Sequence, residues 1–542
     1  MAVAPPGAWG GIIMLSVPLP DEPCAKVVAA SLLSISDGLS GQARQRPAHL
    51  ALVHGEERLT YAELDRRVDA AAHLLWGLGI RPGDRVATLL PNCATAVELL
   101  FAAARAGAVV APLNPRSTPA ELAHVLTDIG PKVVVGVPAA LDAAREVLPP
   151  GVRVVAERSA DDAEPGYARL REDHARGPFP AQAGEAAPWV IVYTSGTTGL
   201  PKGALRNQRS DYLMGLMLAP AAGVGPGDVG MVLLPLFHIN SIWVVTLSMC
   251  IGATCHLSTA ARFHPGTMLA ELERSGATYS MFVPTMLGYL AEGLERGQIR
   301  GERLRVLMTS SAPLPVPLRD RLLAVLPAAR MVEFYGATEL GAVTLAWHDA
   351  GQPGGTIGFP LPGVRVRLLD AERRPVAPGE PGELFVESPL VMDGYFGRPA
   401  ETEAVRAGAF VGVGDLARQD EAGRLYLVDR VTDTIITSGE NVYPSEVESV
   451  LLAHPAVALA AVVGAPDERR GEAVSAVVVC REGRSVAAGD LAAHCRAHLA
   501  PYKCPRTIAF APELPLGLTG KVLRRKVREA WAQGVYAGQP QT

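Results

Sequence analysis

An α/β fold is predicted for this chain, with a large N-terminal domain of stacked α/β sheets and a small α+β domain at the C-terminus. Helical repeats alternate with short apolar runs through the first half of the sequence, which is the order of elements in α/β sheets. After Gly358 the runs shorten and turn residues multiply, which indicates an added β-barrel-like section. We expect a leader at 1–25 that is disordered, then domains at 26–431 and 432–542.

The individual elements follow from the spacing of apolar residues. LTYAELDRRVDAAAHLLWGLGI has a helical period and begins after Thr60, DRVATLL is typical of a buried strand, and AVELLFAAARAGAVVAPL of a helix that leads into a strand. Six later strand-like runs break into Gly, Ser, Thr or Pro where a strand would end: PKVVVGV, WVIVYTSG, MVLLPLF, ATYSMFVP, LRVLMTS and RMVEFYG. Ligands of open α/β sheets gather beyond the carboxyl ends of strands, so a site is expected at these ends.

Two further segments differ from this pattern. Between Ala156 and Ala187 the chain is charged and aperiodic, which predicts a surface excursion. After Arg430, SEVESVLLAHP is typical of a helix, and ALAAVVGAP and EAVSAVVVC of strands, so we place a hinge between Arg430 and Asp433.

Composition excludes several classes of protein. The chain of 542 residues is 49% hydrophobic and carries a net charge of −5, so it lacks the basic surface expected of a nucleic-acid-binding protein. Its seven cysteines are scattered and never spaced as C-x-x-C, which argues against a zinc site or a disulfide framework and favours the cytoplasm. The N-terminus has no basic residue before Lys26, unlike a secretory signal, and the apolar run from Ile242 is too short and interrupted for a membrane span.

The stretch YTSGTTGLPKG, from Tyr193 to Gly203, combines hydroxyls, glycines and a lysine that suit an oxyanion-rich ligand. A Walker loop requires a glycine before its lysine and a hydroxyl after it, whereas Pro201 and Gly203 flank Lys202 here. The stretch therefore predicts a phosphate site of another type.

Four more stretches carry polar groups that core packing does not require: PLFHIN, EFYGATEL, VGDL and LTGKVLRRK. Taken singly, His238 is more simply an interior histidine, Tyr335 a core aromatic, Asp415 a turn residue, and Lys521 part of a solvated helix face. Their occurrence together, in this order, favours function.

The ordered set resembles the adenylate-forming superfamily of acyl-CoA synthetases, peptide-synthetase adenylation domains and beetle luciferases. The resemblance extends from LTYAEL near Thr60 to GKVLRR at Arg525. YTSGTTGLPKG is similar to the phosphate loop of the family, YGATE to its adenine and magnesium motif, and GDL to its ribose motif. DRVTDTIITSGENVYPSEVE is similar to its hinge and thioester loop, and Gly520-Lys521 to its terminal catalytic lysine.

The resemblance implies ATP, Mg²⁺ and coenzyme A as cofactors and a carboxylic acid as substrate. Catalytic roles then fall to Lys521, which bridges carboxylate and α-phosphate, and to Thr338 and Glu339, the latter holding Mg²⁺. His238 is a gate or a neighbour of the carboxylate. The implied nucleotide-binding residues are Thr194, Ser195, Gly196, Thr197, Thr198, Gly199, Lys202, Ser311, Ala312, Pro313, Phe334, Tyr335, Gly336, Ala337, Asp415 and Arg430.

The acyl pocket and the thiol step involve other positions. The residues implied for the acyl group are His238, Ile239, Asn240, Ser310, Ser311 and Gly336, and those for coenzyme A are Gly439, Glu440 and Asn441. The small domain is implied to be mobile about Thr432, so that Lys521 serves adenylation and Gly439 serves thioester formation. A glycine suits position 439 because a pantetheine arm can slide past backbone that has no Cβ.

The chain departs from the family pattern in three places. Ser310 and Ser311 stand where glycines are common, Val413 where a threonine often precedes Gly-Asp, and Thr432 where the hinge is commonly Lys or Asp. These changes leave open the possibility that adenylate formation, the first half-reaction, is weak in this protein.

We expect a cytoplasmic acid:CoA ligase for a hydrophobic acid. The alternatives are thioester formation alone from an acyl-adenylate supplied by a partner enzyme, acyl transfer to a separate acyl carrier protein, or a luciferase-like oxygenase. No nucleic acid and no membrane span are expected, and a homodimer is compatible with the sequence.

Overall fold

The structure is a computed structural model, and it describes residues 33–158, 165–194, 200–260, 262–348, 353–438, 440–467, 469–517 and 522–536, with the backbone of 539–540. The predicted leader at 1–25 lies outside these residues.

The helices begin after a first turn at residue 33 and continue into the small C-terminal unit. They are α1 (Ile35–Gln45), α2 (Tyr61–Gly77), α3 (Ala94–Ala106), α4 (Pro119–Ile129), α5 (Pro138–Ala144), α6 (Tyr167–Asp173), α7 (Gln208–Ala222), α8 (Ile239–Ile251), α9 (Pro265–Ser275), α10 (Pro284–Glu295), α11 (Val316–Val325), α12 (Pro399–Ala404), α13 (Pro444–Ala453), α14 (Ala488–His498) and α15 (Arg524–Ala532).

The strands alternate with these helices in the first half of the chain and follow one another directly after it. They are β1 (Leu50–His54), β2 (Glu57–Thr60), β3 (Arg85–Leu89), β4 (Val109–Pro112), β5 (Val133–Gly136), β6 (Arg153–Ala156), β7 (Pro188–Thr194), β8 (Lys202–Asn207), β9 (Val229–Val232), β10 (Thr254–Leu257), β11 (Tyr279–Phe282), β12 (Val306–Thr309), β13 (Arg330–Ala337), β14 (Gly341–His348), β15 (Phe359–Pro360), β16 (Arg365–Leu369), β17 (Gly382–Glu387), β18 (Gly394–Tyr395), β19 (Arg406–Ala407), β20 (Phe410–Gln419), β21 (Leu425–Arg430), β22 (Ile435–Thr437), β23 (Glu440–Val442), β24 (Val457–Asp467), β25 (Gly471–Cys480), β26 (Thr507–Phe510) and β27 (Gln539–Pro540).

Two large sheets carry the N-terminal domain. Among the described residues, one sheet has the strand order β15-β14-β13-β12-β11-β9-β10-β1-β2 and the other β18-β8-β7-β4-β3-β5-β6. Strands β9 to β13 pair in parallel, as do β3 to β7, so their carboxyl ends share an edge within each sheet. This arrangement confirms the predicted α/β sheets.

The section after Gly358 is β-rich, as predicted. Strands β16, β17, β20 and β19 are neighbours in an antiparallel sheet, and β21 pairs with β20. The C-terminal unit has its own sheet, in which β24 and β25 form a long antiparallel pair that α13 covers. Its apolar core is separate from the core of the large domain.

Helix ends follow local sequence signals. Thr60 caps α2 and Thr118 caps α4, and in both helices a glutamate three residues later completes a capping box. Gly107 ends α3 and Gly130 ends α4 in the left-handed conformation, which glycine adopts without a steric penalty. The helix predicted after Thr60 and the strands predicted from apolar runs are confirmed.

The interpretation of 156–187 as a surface excursion is wrong in part. Helix α6 lies in this segment and buries Tyr167 and Arg171 against the interior. The Tyr167 hydroxyl donates to Glu98 at 3.0 Å, and the Arg171 guanidinium donates to the same carboxylate at 2.8 Å. The pattern missed this because a seven-residue helix that buries polar groups shows little apolar periodicity.

The apolar run from Ile242 forms a buried helix and a strand, α8 and β10. Within the described part of the chain, no helix combines the length and apolarity that crossing a bilayer requires.

Candidate active site

Strand ends from both large sheets converge where the sequence motifs lie. Thr194 ends β7, Ser310 follows β12, and β13 ends at Ala337, just before Thr338 and Glu339. His238 is the N-cap of α8 and lies beyond the end of β9 at Val232. The predicted location of the site at the carboxyl ends of strands agrees with this geometry.

Tyr335, Asp415 and Arg430 form one hydrogen-bonded group. The Tyr335 hydroxyl donates to Asp415 Oδ2 at 2.7 Å, and Arg430 Nε donates to Asp415 Oδ1 at 3.1 Å. Asp415 and Arg430 are also paired across β20 and β21. Burial and the neighbouring Asp415 carboxylate raise the pKa of Tyr335 well above its usual value, so its hydroxyl stays a donor at neutral pH.

Glu339 lies at the centre of a second group. Thr194 Oγ1 donates to Glu339 Oε1 at 3.0 Å, and the Tyr395 hydroxyl donates to the same oxygen at 3.1 Å. The ammonium of Lys202 lies 5.3 Å from the centroid of the Tyr395 ring, within the range of a cation–π contact. This group therefore brings two predicted phosphate-binding residues to the predicted metal ligand.

Sequence analysis missed Tyr395. Tyr395 lies in the glycine-flanked stretch GYFG, and these glycines were the only local signal that this residue has a functional position. Burial and the Glu339 carboxylate raise the pKa of Tyr395, which keeps the phenol protonated as a donor to Glu339.

A buried ion pair supports the turn that carries Thr338. Arg206 Nη1 donates to the Thr338 carbonyl at 2.8 Å, and its guanidinium pairs with Asp211 at 2.6 Å, both side chains being fully buried. The indoles of Trp189 and Trp243 also donate to Asp211, at 2.8 and 3.0 Å. Each oxygen of the buried carboxylate thus accepts at least one hydrogen bond, as burial of a charge requires.

Three of the residues predicted for the acyl group meet at the start of α8. Asn240 Nδ2 donates to Ser310 Oγ and Ser311 Oγ, at 3.0 Å each, so the two serines that depart from the family pattern are joined through one amide. Ser311 has a φ of 73°, a conformation that glycine adopts more readily. Ile239 is buried beside them.

His238 combines burial with an unpaired nitrogen. Its Nε2 atom is buried and has no hydrogen-bond partner among the described residues. Burial lowers the pKa of His238 from 6.5 to about 4, so the ring is neutral at physiological pH. A neutral, unpaired imidazole can accept or donate one hydrogen bond to a ligand.

The other predicted nucleotide residues lie after β12 and in β13. Ala312 and Pro313 lie in the turn after β12, and Gly336 and Ala337 lie at the end of β13. A Cβ at Gly336 would come within 2.3 Å of the Gly341 carbonyl oxygen, so close pairing of β13 with β14 requires the glycine. Phe334 points to the other side of β13, where it is buried and packs against Trp243, so the structure does not bring its side chain to Tyr335.

The hinge and thioester positions lie at the start of the C-terminal unit. Thr432 is in a 3₁₀ turn at Val431–Asp433, and Glu440 and Asn441 are exposed in β23. Ser195, Gly196, Thr197, Thr198, Gly199, Gly439 and Lys521 lie outside the described residues. Their predicted roles stay predictions.

An arginine that sequence analysis did not single out connects the predicted hinge to the C-terminal unit. Arg524, the first residue of α15, donates to Asp429 at 3.0 Å, to Asp433 at 3.2 Å and to Glu448 at 2.6 Å. Asp429 precedes the 3₁₀ turn, Asp433 lies in it and Glu448 follows it. One guanidinium therefore spans the predicted hinge.

Comparison with known proteins agrees with this geometry. Residues 39–396 match the family model described as AMP-binding enzyme, and residues 446–521 match the one described as AMP-binding enzyme C-terminal domain. A feruloyl-CoA synthase from Amycolatopsis is 37% identical over 90% of this chain and 97% of its own length. A fatty acid–[acyl-carrier-protein] ligase from Streptomyces coeruleorubidus is 34% identical over 90% of this chain and 95% of its own.

The similarity extends to solved structures. The ATP-bound MatB of Rhodopseudomonas palustris superimposes with a TM-score of 0.83 at 30% identity, covering 92% of this chain and 99% of that one. The chain therefore belongs to the AMP-binding enzyme family, and the adenylate-forming class, the fold and the acyl-CoA synthetase identity predicted from its motifs are confirmed.

Proposed function

We propose that this protein uses ATP to activate a hydrophobic carboxylic acid as an acyl-adenylate and then transfers the acyl group to coenzyme A. The observation that carries the proposal is the convergence of Thr194, Lys202 and Glu339 with the Tyr335–Asp415–Arg430 group at one edge of the sheets. The first set suits phosphates and the second suits a nucleoside. The fold alone would not require both.

In the first step a carboxylate oxygen attacks the α-phosphorus, and the bond to the bridging oxygen of pyrophosphate breaks. Both reactants are anionic, so fixed cations and dipoles must offset their repulsion in the transition state. Lys202 supplies one such cation toward the β- and γ-phosphates, and Lys521 supplies the other between carboxylate and α-phosphate. Thr338 binds an oxygen of the α-phosphate.

The nucleoside is held by the second group. Asp415 accepts from the ribose hydroxyls, as carboxylates do in other nucleotide sites. Arg430 and Tyr335 each donate to one of its oxygens and so fix its orientation. The flat face of the Tyr335 ring and the turn at Ala312 and Pro313 border the adenine.

The residues present also fit Mg²⁺. Mg²⁺ in nucleotide enzymes is held by one or two carboxylates together with substrate phosphates. Glu339 is such a carboxylate, and within the described residues both of its hydrogen bonds end on Oε1. Glu339 would hold Mg²⁺, and the bound ion would neutralise developing charge on the phosphates.

The second step joins the acyl carbon to sulfur. The thiol of coenzyme A loses its proton and attacks the acyl carbon, and the bond to the phosphate oxygen breaks to release AMP. Gly439, Glu440 and Asn441 border the pantetheine arm, after the small domain has turned about Thr432. Arg524 must exchange its partners across the turn during this movement.

The acid is hydrophobic in this proposal because α8 supplies a wall of buried apolar residues behind His238 and Ile239. His238 fits the acyl end, since its buried Nε2, which has no partner in the described part of the chain, can bond a carboxylate or carbonyl oxygen of the substrate. The hydrogen-bonded side chains of Asn240, Ser310 and Ser311 add polar groups to that wall.

The test is a panel of fatty, aromatic and polycyclic acids incubated with ATP, Mg²⁺ and coenzyme A, with thioesters detected by mass spectrometry. We expect a thioester from at least one hydrophobic acid, with AMP and pyrophosphate released in equal amounts. If acids are adenylated but coenzyme A is never acylated, coenzyme A is not the acceptor. A holo acyl carrier protein in the same assay tests the second candidate, which the relative from Streptomyces coeruleorubidus favours.

Two alternatives need their own measurements. Comparison of ATP–pyrophosphate exchange with thioester formation from a synthetic acyl-adenylate separates a complete ligase from a protein that depends on a partner enzyme. Light emission or oxygen consumption with a heterocyclic acid would indicate the oxygenase.

Location and assembly belong to the same proposal. The described cysteines are all free thiols, which fits the cytoplasm. The proposal also includes a homodimer, which the molecular mass from sedimentation of the purified protein tests.

A further inference from the structure

Helix α4 contacts both stems of the β7–β8 hairpin. His124 and Asp128 are four residues apart on this helix, so their side chains lie on one face. His124 Nε2 is 3.2 Å from the Pro201 carbonyl oxygen, just before β8, and Asp128 Oδ2 accepts from the Tyr193 hydroxyl of β7 at 2.7 Å. Each stem of the hairpin is thus fastened to the same helix.

These two contacts flank the residues that face Glu339. Thr194 directly follows Tyr193, Lys202 directly follows Pro201, and Thr194 and Lys202 are opposite each other in the β7–β8 register. Thr194 Oγ1 and the Lys202 carbonyl lie 3.5 Å apart. A shift of either stem would therefore move one of these two side chains relative to the other.

Helix α4 is itself fixed to the sheet. Its apolar face buries Leu122, Val125, Leu126 and Ile129. The same apolar cluster contains Ile191 of β7. The helix is therefore a rigid support for the stems, and the two polar contacts set their positions on it.

Asp128 extends the same support to Tyr395. Arg398 Nη2 donates to Asp128 Oδ1 at 3.0 Å, while Oδ2 accepts from Tyr193, so the two oxygens of one carboxylate serve two elements. Arg398 lies three residues after Tyr395, whose hydroxyl bonds Glu339. Burial and the Asp128 carboxylate raise the pKa of Tyr193, so its hydroxyl remains a donor.

We infer that His124 and Asp128 are positioning residues for nucleotide binding, which hold Thr194 and Lys202 at the separation that the phosphates of ATP require. This inference rests on the proposed function, because it assigns the phosphates to these stems. It adds two residues of a helix that carries none of the sequence motifs. Neither residue contacts the reacting atoms; both act through the hairpin.

The test compares variants at both contacts with a control on the same helix. His124→Ala removes the donor to Pro201, and His124→Gln restores an amide donor at similar reach. Tyr193→Phe removes the donor to Asp128 without replacing Arg398, and Asp128→Ala removes the contacts of Asp128 with both Tyr193 and Arg398. Thr127→Ala changes an exposed neighbour on α4 and serves as the control.

We expect His124→Ala and Tyr193→Phe to raise the KM for ATP and weaken binding of a non-hydrolysable ATP analogue by roughly tenfold, since misplacement by one ångström can cost about a hundredfold. Thioester formation from a synthetic acyl-adenylate should stay near the wild-type rate, because that step does not use the β- and γ-phosphates. His124→Gln should recover most of the loss, and Thr127→Ala should show none.

A double-mutant cycle checks the Tyr193–Asp128 contact. Tyr193→Phe combined with Asp128→Ala should lose no more analogue affinity than Asp128→Ala alone, since residues in one network are not additive. Full additivity would contradict the assigned contact.

Two results would overturn the inference. One is unchanged analogue affinity and unchanged KM for ATP in both His124→Ala and Tyr193→Phe. The other is an equal loss in both half-reactions together with a lower melting temperature, which a purely structural role would give. If the wild-type protein binds the analogue but acylates no thiol, the proposed function is refuted. The affinities of the variants for the analogue would still test the inference.

Discussion

The Tyr335 hydroxyl donates to Asp415 at 2.7 Å, although the two residues are 80 positions apart and lie in different sheets. Asp415 is only 8% exposed, and its other oxygen accepts from Arg430. A carboxylate held from both sides offers its remaining lone pairs in fixed directions. The pair therefore couples the residue predicted to border the adenine to the residue predicted to bind the ribose.

Tyr335→Phe is expected to raise the KM for ATP roughly tenfold, because a hydrogen bond to a charged group contributes about 1.5 kcal/mol or more. kcat should change less. Steady-state kinetics with varied ATP checks this. Tyr426→Phe is the matched control, because Tyr426 bonds Asp420 at 3.1 Å beside the turn of the same β20–β21 hairpin, and an unchanged KM is expected there.

Lys521→Ala is expected to slow adenylate formation by about a thousandfold or more, since repulsion between carboxylate and α-phosphate is then uncompensated by several kcal/mol. Thioester formation from supplied acyl-adenylate should be spared. ATP–pyrophosphate exchange and a single-turnover thioester assay measure the two steps. Lys526→Ala, at an exposed position of α15, should leave both unchanged, and an equal loss of both steps in Lys521→Ala would contradict the role predicted for Lys521.

Gly336→Ala is expected to lower the free energy of unfolding by about 1–3 kcal/mol, the usual range for a side chain forced into packed structure. The added Cβ would come within 2.3 Å of the Gly341 carbonyl oxygen, a backbone atom that cannot move without separating β13 from β14. Urea denaturation measures the change. Gly225→Ala, where a Cβ meets nothing within 4 Å, is the control, and similar losses in both would contradict the assigned clash.

His238 should make the protein less stable in mild acid. Its pKa is about 4 in the folded chain against 6.5 ordinarily, so the unfolded chain takes up the proton first as the pH falls from 6.5 to 4. The folded state should therefore lose about 2 kcal/mol between pH 7 and pH 5 through this residue. Chemical denaturation of wild type and His238→Gln at both pH values measures it, and the variant should lose that much less. His498→Gln, at an exposed histidine, should follow the wild type.

Arg524→Met is expected to lower the free energy of unfolding by about 3 kcal/mol, because removal of one partner leaves buried charges unpaired. The Asp429 side chain is only 1% exposed and Glu448 15% exposed. Arg525→Met is the matched control, since Arg525 is 62% exposed and pairs with Glu529 on the helix surface. Equal losses in the two variants would show that the hinge network does not stabilise the protein.

The sequence by itself predicted the helices and strands, and the strand ends at which the candidate site lies. Apolar period decided which segments became α2, β3 and β12, and the hydroxyls and glycines after β7 and β13 marked the positions of Thr194 and Thr338. These features are local, because a helix period or a strand end depends on a few neighbouring residues. The motifs at Gly439 and Lys521 lie outside the described residues, so their roles rest on the sequence.

The tertiary structure decided which side chains meet. It brought Tyr395 to Glu339, His124 and Asp128 to the two stems of one hairpin, and Arg524 to three carboxylates around the predicted hinge. It also turned Phe334 away from Tyr335 into the core. The sequence could not predict these pairs because each joins elements that are distant along the chain. Their contact depends on sheet order, strand register and packing, which are set only when the whole domain has folded.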